Sequence, residues 1–176
     1  MKSFISGIIV SIAAIGGAMY IYFAGGFAPV ATAAPPMPFE KKLAKIALNA
    51  RLEKEMPKAV PFPADDPNLI AGARVYVNHC AVCHGLPNQA QPVIAEGMFP
   101  KPPQLFKGKG VTDDPVGETY WKAVNGIRLS GMPAFKDHLS DAQLWEASLL
   151  LANADKVSPA VQEALAQPPD TPSDAH

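Results

Sequence analysis

The chain has 176 residues, 15 Lys and Arg against 16 Asp and Glu, a formal net charge of −1, and 48% hydrophobic residues. Charge this balanced excludes the strongly basic face of a nucleic-acid binder. It also lacks the heavy single-sign field that steers a fast soluble shuttle to an oppositely charged partner. The distribution is uneven: residues 1–58 carry seven Lys and Arg against three Asp and Glu, whereas residues 67–155 carry seven against eight.

The first predicted element is Phe4 to Phe23, a 20-residue uncharged run preceded by Lys2. That length spans a hydrocarbon core as a helix. Ala31-Thr32-Ala33 offers an A-x-A processing site. The apolar run is longer than that of a usual cleaved signal, so residues 1–27 are expected to be an uncleaved transmembrane anchor. With Lys2 inside, the C-terminal part of the chain lies across the membrane, in the periplasm or on the outer face of a cytoplasmic membrane crossed once.

Residues 28–65 read as a linker. Ala28 to Pro38 is Ala- and Pro-rich and extended, and residues 39–56 form a predicted amphipathic helix. Phe39, Leu43, Ile46, Ala47 and Ala50 share one stripe of it, and Pro57 stops it. This helix is expected to be either a solvated spacer or a docking face for partner subunits, with too few aromatic residues to favour a helix lying along the bilayer.

From Asp66 to Ala154 the pattern is that of a folded domain. Asp66 is a predicted N-cap with Pro67 in the first helical position, and Ile70, Ala73 and Val77 recur at helical spacing. That helix runs into Cys80-Ala81-Val82-Cys83-His84, the C-x-x-C-H signature of covalent c-type haem attachment. Two thiols can add across the two vinyl groups of one porphyrin, and the adjoining histidine is carried to the iron as proximal ligand. The motif uses both cysteines of the chain. A thioredoxin-like site would want a βαβ pattern, and a zinc site a second ligand pair, but His79, His138 and His176 are scattered. A disulfide between Cys80 and Cys83 would close a very short loop and leave His84 unexplained.

A sixth iron ligand must come from elsewhere in the chain. In Ser130-Gly131-Met132-Pro133-Ala134-Phe135, Met132 sits in a loop 48 residues after His84. Its neutral thioether favours ferrous iron, Gly131 lets backbone approach the ring, and Pro133 stiffens the loop. Met98 is the second candidate and His138 a weaker third. Asp114-Pro115 opens a second helix of about ten residues that Gly126 ends, with Tyr120, Trp121 and Val124 as its bulky residues. Ser140-Asp141-Ala142-Gln143 is a capping box for a third helix bearing Leu144, Trp145, Ser148, Leu149 and Ala152. No alternation long enough for a strand is present. Residues 155–176, with four prolines, read as an extended tail.

Taken together, Asp66 to Ala154, about half of the chain, resembles a class I, monohaem cytochrome c domain. Beyond the attachment motif, the resemblance rests on Gly72 and Tyr76 before the first cysteine, on the Gly-Met-Pro-Ala-Phe segment, and on Lys101-Pro102-Pro103-Gln104-Leu105 between the two ligands. It implies an all-α fold of three to four helices around one covalent haem c, joined here to an N-terminal transmembrane helix. It further implies that the helix before the cysteines crosses a C-terminal helix bearing an aromatic residue, for which Trp145 is the candidate. The carbonyl of Pro102 or Pro103 is then expected to accept the hydrogen bond from the free nitrogen of His84. Tyr76, Leu105, Trp121 and Trp145 are the expected packing residues of the group.

With both axial positions filled by protein, no open iron site remains for a substrate, so the expected function is outer-sphere electron transfer without catalytic turnover. The expected partners are redox proteins, namely subunits of a membrane respiratory or photosynthetic complex, with no nucleic acid and no small-molecule substrate. A tethered or free periplasmic shuttle is the alternative. A haem sensor or peroxidase-like enzyme would need Met132 to leave the iron readily.

Overall fold

The computed structural model describes residues 2–170. Among the described residues there are eight helices and no strand: α1 (Lys2–Ala24), α2 (Glu40–Glu55), α3 (Asp66–His79), α4 (Ala81–His84), α5 (Val93–Glu96), α6 (Val116–Asn125), α7 (Asp141–Ala152) and α8 (Pro159–Ala166). Two units divide within α2, one of residues 1–44 and the other of residues 45–176.

In the first unit, Ser3–Ala24 is long and apolar enough to cross a membrane, and all of its residues are exposed. Of the stripe expected to make α2 amphipathic, Phe39, Leu43, Ile46, Ala47 and Ala50 are likewise exposed. The buried residue of α2 is Leu52, which belongs to the second unit.

The second unit is organised by the crossing of α3 and α7. Pro67 stands in the first turn of α3, where a missing N–H costs nothing, but the cap is Asp65 rather than Asp66, accepting from the Asn68 amide at 3.2 Å. Gly72 is buried at the crossing, and a β-carbon there would overlap the Glu146 carbonyl of α7. Only glycine lets the two backbones meet so closely. Ser140 caps α7 with both bonds of the capping box: its Oγ accepts from Gln143 N, and the Gln143 side chain accepts from Ser140 N. Leu69, Ala73, Tyr76 and Val77 of α3 then pack with Leu149, Leu150 and Leu151 of α7. A smaller cluster joins Val75, Leu139, Leu144 and Ala147 to Tyr120, Ala123, Val124 and Phe135, which ties α6 and the loop after it to α7.

The extended tail expected over residues 155–176 is corrected by the fold: residues 159–166 form α8, and its Val161, Ala164 and Leu165 are buried in the main core. Pro159 does not break this helix because it occupies the first turn, behind Ser158, whose Oγ accepts from Val161 N. After α8 the chain returns along α3. Arg74 donates to the Pro168 carbonyl at 3.1 Å and pairs with Asp170, and Asp170 N donates to Asn78 Oδ1 at 2.9 Å. The hydrogen bonds from Asn78 and Arg74 hold the Asp170 carboxyl below its ordinary pKa. Residues 171–176, including His176, lie outside the described residues.

Candidate haem-attachment site

Cys80 both ends α3 and begins α4. Its amide donates to Tyr76 O at 2.9 Å, and its carbonyl accepts from Cys83 N at 3.1 Å and His84 N at 2.9 Å. The turn is therefore helical through the motif, and Cys80, Cys83 and His84 stand at positions i, i+3 and i+4. Such residues share one helical face. The two-residue gap and the adjacent histidine thus have a direct geometric meaning: three donors converge on one side of a single turn. Val82, on another side, is 58% exposed.

Both cysteines are free and half-buried. Burial, and secondarily Cys83, pushes the Cys80 thiol up to about 12, so it is a neutral thiol in the haem-free chain. His84 Nδ1 lies 2.8 Å from the Pro103 carbonyl oxygen. Burial lowers the pKa of His84, opposed by that backbone hydrogen bond. A neutral imidazole that donates from Nδ1 to a carbonyl keeps its lone pair on Nε2, which is the form that ligates iron. The first proline of the pair has a different partner, since the Pro102 carbonyl accepts from Gln91 Nε2 at 2.8 Å. Gly85, at φ +75°, turns the chain out of α4, and its carbonyl accepts from the buried Tyr76 hydroxyl at 2.6 Å. Tyr76 is fully buried, its phenol pKa is raised by burial, and its ring meets Phe106 edge to face at 5.0 Å. Leu105 and Phe106 are partly buried against the main core.

The loop after α6 carries Met132, which is half-buried. Its backbone is pinned on both sides: its amide donates to Ser130 Oγ at 3.1 Å, and its carbonyl accepts from Ile127 N at 3.2 Å. Phe135 N donates to Ala123 O of α6 at 3.0 Å. Gly126, at φ +66°, allows the loop to fold against the end of α6, with a β-carbon there reaching Ala134 N at 2.7 Å and Met132 O at 2.9 Å. Met98, the second candidate ligand, is also half-buried, and its ε-methyl lies where a β-carbon on Gly131 would be. The two methionines therefore belong to one neighbourhood. His138 is exposed in the turn before α7.

The tryptophans have distinct settings. Trp145 is 4% exposed and stacks on Tyr120, centroids 3.9 Å apart and planes 14° from parallel. Tyr120 in turn donates to Asp141, and burial with that bond pushes its phenol up to about 12. Trp121, on α6, donates from Nε1 to Glu55 Oε2 at 3.2 Å. Lys101, Lys107, Arg128 and Lys136 are exposed, whereas Lys122 pairs with Glu118 at 2.6 Å. Sequence reasoning missed Gly85, Gln91, Phe106 and Glu55. A glycine directly after the motif is a visible C-cap signal for Gly85, but nothing local distinguishes the other three.

The residue set suits a covalently attached haem: two free thiols on one helical face, an imidazole oriented by a backbone carbonyl beside them, and methionine loops packed on each other. Residues 67–149 match the family model described as "Cytochrome C oxidase, cbb3-type, subunit III". No curated protein and no solved structure matches the chain. The matched stretch runs from the first turn of α3 into α7 and includes both the Cys80–His84 motif and Met132. The family binds haem c covalently, and residues 67–149 of this chain belong to it, as a class I, monohaem cytochrome c domain.

Proposed function

We propose that this protein is a membrane-anchored, single-electron carrier, held as a haem-bearing subunit of a larger membrane oxidoreductase. The observation that carries the proposal is the shared helical face of Cys80, Cys83 and His84, with His84 already oriented by Pro103. Cys80 and Cys83 would hold a haem covalently, each through a thioether made by adding its S–H across one vinyl group, an addition that releases nothing. His84, through Nε2, and Met132, through its thioether sulfur, would hold the iron. Haem, when bound, supplies a one-electron ferric–ferrous couple. Tyr76 and Phe106, packed edge to face beside the motif, would keep water from a haem held there, and the Pro103 carbonyl would hold His84 in the tautomer that leaves Nε2 free. With Met132 as a second protein ligand, the iron would be left no open site for a substrate.

Support for the subunit role comes from the family description, which refers to a subunit of an oxidase, and from Ser3–Ala24, which has the length and apolarity of a membrane span. The haem domain then lies on the periplasmic or outer face, as the single basic residue before the span directs. The test is made on the full chain from a host that attaches haem c. A carrier takes up one electron per chain and binds no carbon monoxide when reduced at neutral pH, and in mild detergent it co-elutes with constant partners. Ready carbon monoxide binding would favour a sensor or peroxidase-like role, and elution alone would favour a tethered shuttle.

A further inference from the structure

The stretch just before the family-matched residues touches α6 at two places. The Pro57 carbonyl lies against buried Gly117, so closely that a β-carbon there would overlap it. One helical turn further on, the Trp121 indole N–H donates to Glu55 Oε2 at 3.2 Å, and the other carboxylate oxygen of Glu55 pairs with Arg51 at 2.6 Å. Glu55 is thus held by its own helix while it holds α6. On the same helix Leu52 is 3% exposed, whereas the more apolar-looking stripe of α2 is in solvent.

What α6 does next is to carry the methionine loop. Ala123, two residues beyond Trp121, accepts from Phe135 N, and Gly126 ends the helix against the backbone of Met132, Pro133 and Ala134. A continuous set of contacts therefore runs from Glu55 through Trp121 and the last turn of α6 to the backbone on either side of Met132. We infer that Glu55 is a positioning residue for the distal ligand: by holding Trp121 it seats α6 and keeps the Met132 loop closed over the iron. The inference rests on the reading of Met132 as that ligand.

Imidazole is a suitable probe, because it reaches the iron only when the Met132 loop opens, so its apparent affinity scales with the open fraction. The experiment titrates the ferric, haem-loaded full chain with imidazole and tracks loss of the sulfur-to-iron absorption band, with helix content monitored in parallel. Glu55→Ala and Trp121→Phe, each removing one partner of the same bond, should both raise the apparent affinity by roughly two- to fivefold, the size of one net hydrogen bond. Glu55→Gln retains an oxygen acceptor for the indole and should titrate like the unaltered chain. Helix content should be unchanged in all three, since Glu55 is exposed and Phe keeps an aromatic ring at the half-buried Trp121 position. The inference is overturned if Glu55→Ala and Trp121→Phe titrate like the unaltered chain, if only one of them shifts, or if Glu55→Gln shifts as far as Glu55→Ala. Met132→Ala, run alongside, separates the two failures. If it keeps the band, the ligand reading itself is wrong; if it loses the band while the other variants do not shift, only the role of Glu55 is.

Discussion

The Nδ1 atom of His84 and the carbonyl oxygen of Pro103 stand 2.8 Å apart, across 19 residues of chain. The acceptor is backbone, so the contact depends on the path of the chain and not on the pyrrolidine ring. Pro103→Ala is therefore expected to keep the hydrogen bond, bind haem as before and leave the potential close to that of the unaltered chain. Its cost falls on folding, about 0.4–1 kcal/mol from the freer unfolded chain. Chemical denaturation and redox titration of the same variant check the two halves.

Met132→Ala should behave in the opposite way. Removal of the thioether lowers the potential, abolishes the sulfur-to-iron absorption band of the ferric form, and opens the reduced iron to carbon monoxide. Met98→Ala should keep the band, since Met98 touches the loop at Gly131 and is not assigned to the iron. A band that survives in Met132→Ala and disappears in Met98→Ala would reverse the assignment.

Gly72 has no room for a side chain, because its position faces the Glu146 carbonyl across the α3–α7 crossing. Gly72→Ala must push the two helices apart, an overpacking cost of about 1–3 kcal/mol. The denaturation midpoint should fall with an unchanged slope.

The C-terminal helix supplies core that lies beyond the family-matched residues. A chain ending at Ala154 loses Val161, Ala164 and Leu165, and burying an aliphatic side chain the size of Val or Leu is worth about 1.5–3 kcal/mol. Such a chain should accumulate haem poorly and unfold at much lower denaturant. Ser158→Ala, which removes only the cap of α8, should cost about 1 kcal/mol. An unaltered midpoint in both would show that α8 contributes nothing to the domain.

Much of this domain is legible in the sequence because its signals are local. The C-x-x-C-H motif, Ser140 with Gln143, and Gly126 at the end of α6 each depend on residues within a few positions of one another. What could not be read depends on distant contacts. In α8, Val161, Ala164 and Leu165 do recur at helical spacing, but eight residues do not make a stable helix alone. Packing against α3 decides it. The cap of α3 is Asp65 and not its neighbour Asp66, a choice that two adjacent aspartates hide. Pro102 and Pro103 are equivalent as letters, and only the fold of the intervening chain turns the second carbonyl toward His84 and the first toward Gln91. In α2 the more continuous apolar stripe is exposed, and Leu52, outside it, is buried.

The most direct test of covalent haem attachment is the intact mass of the purified full chain under denaturing conditions, after expression in a host that attaches haem c. The expected result is a single coloured species heavier than the polypeptide by one haem, with loss of that added mass when Cys80 and Cys83 are both replaced by Ala. A colourless chain at the mass of the bare polypeptide would contradict it.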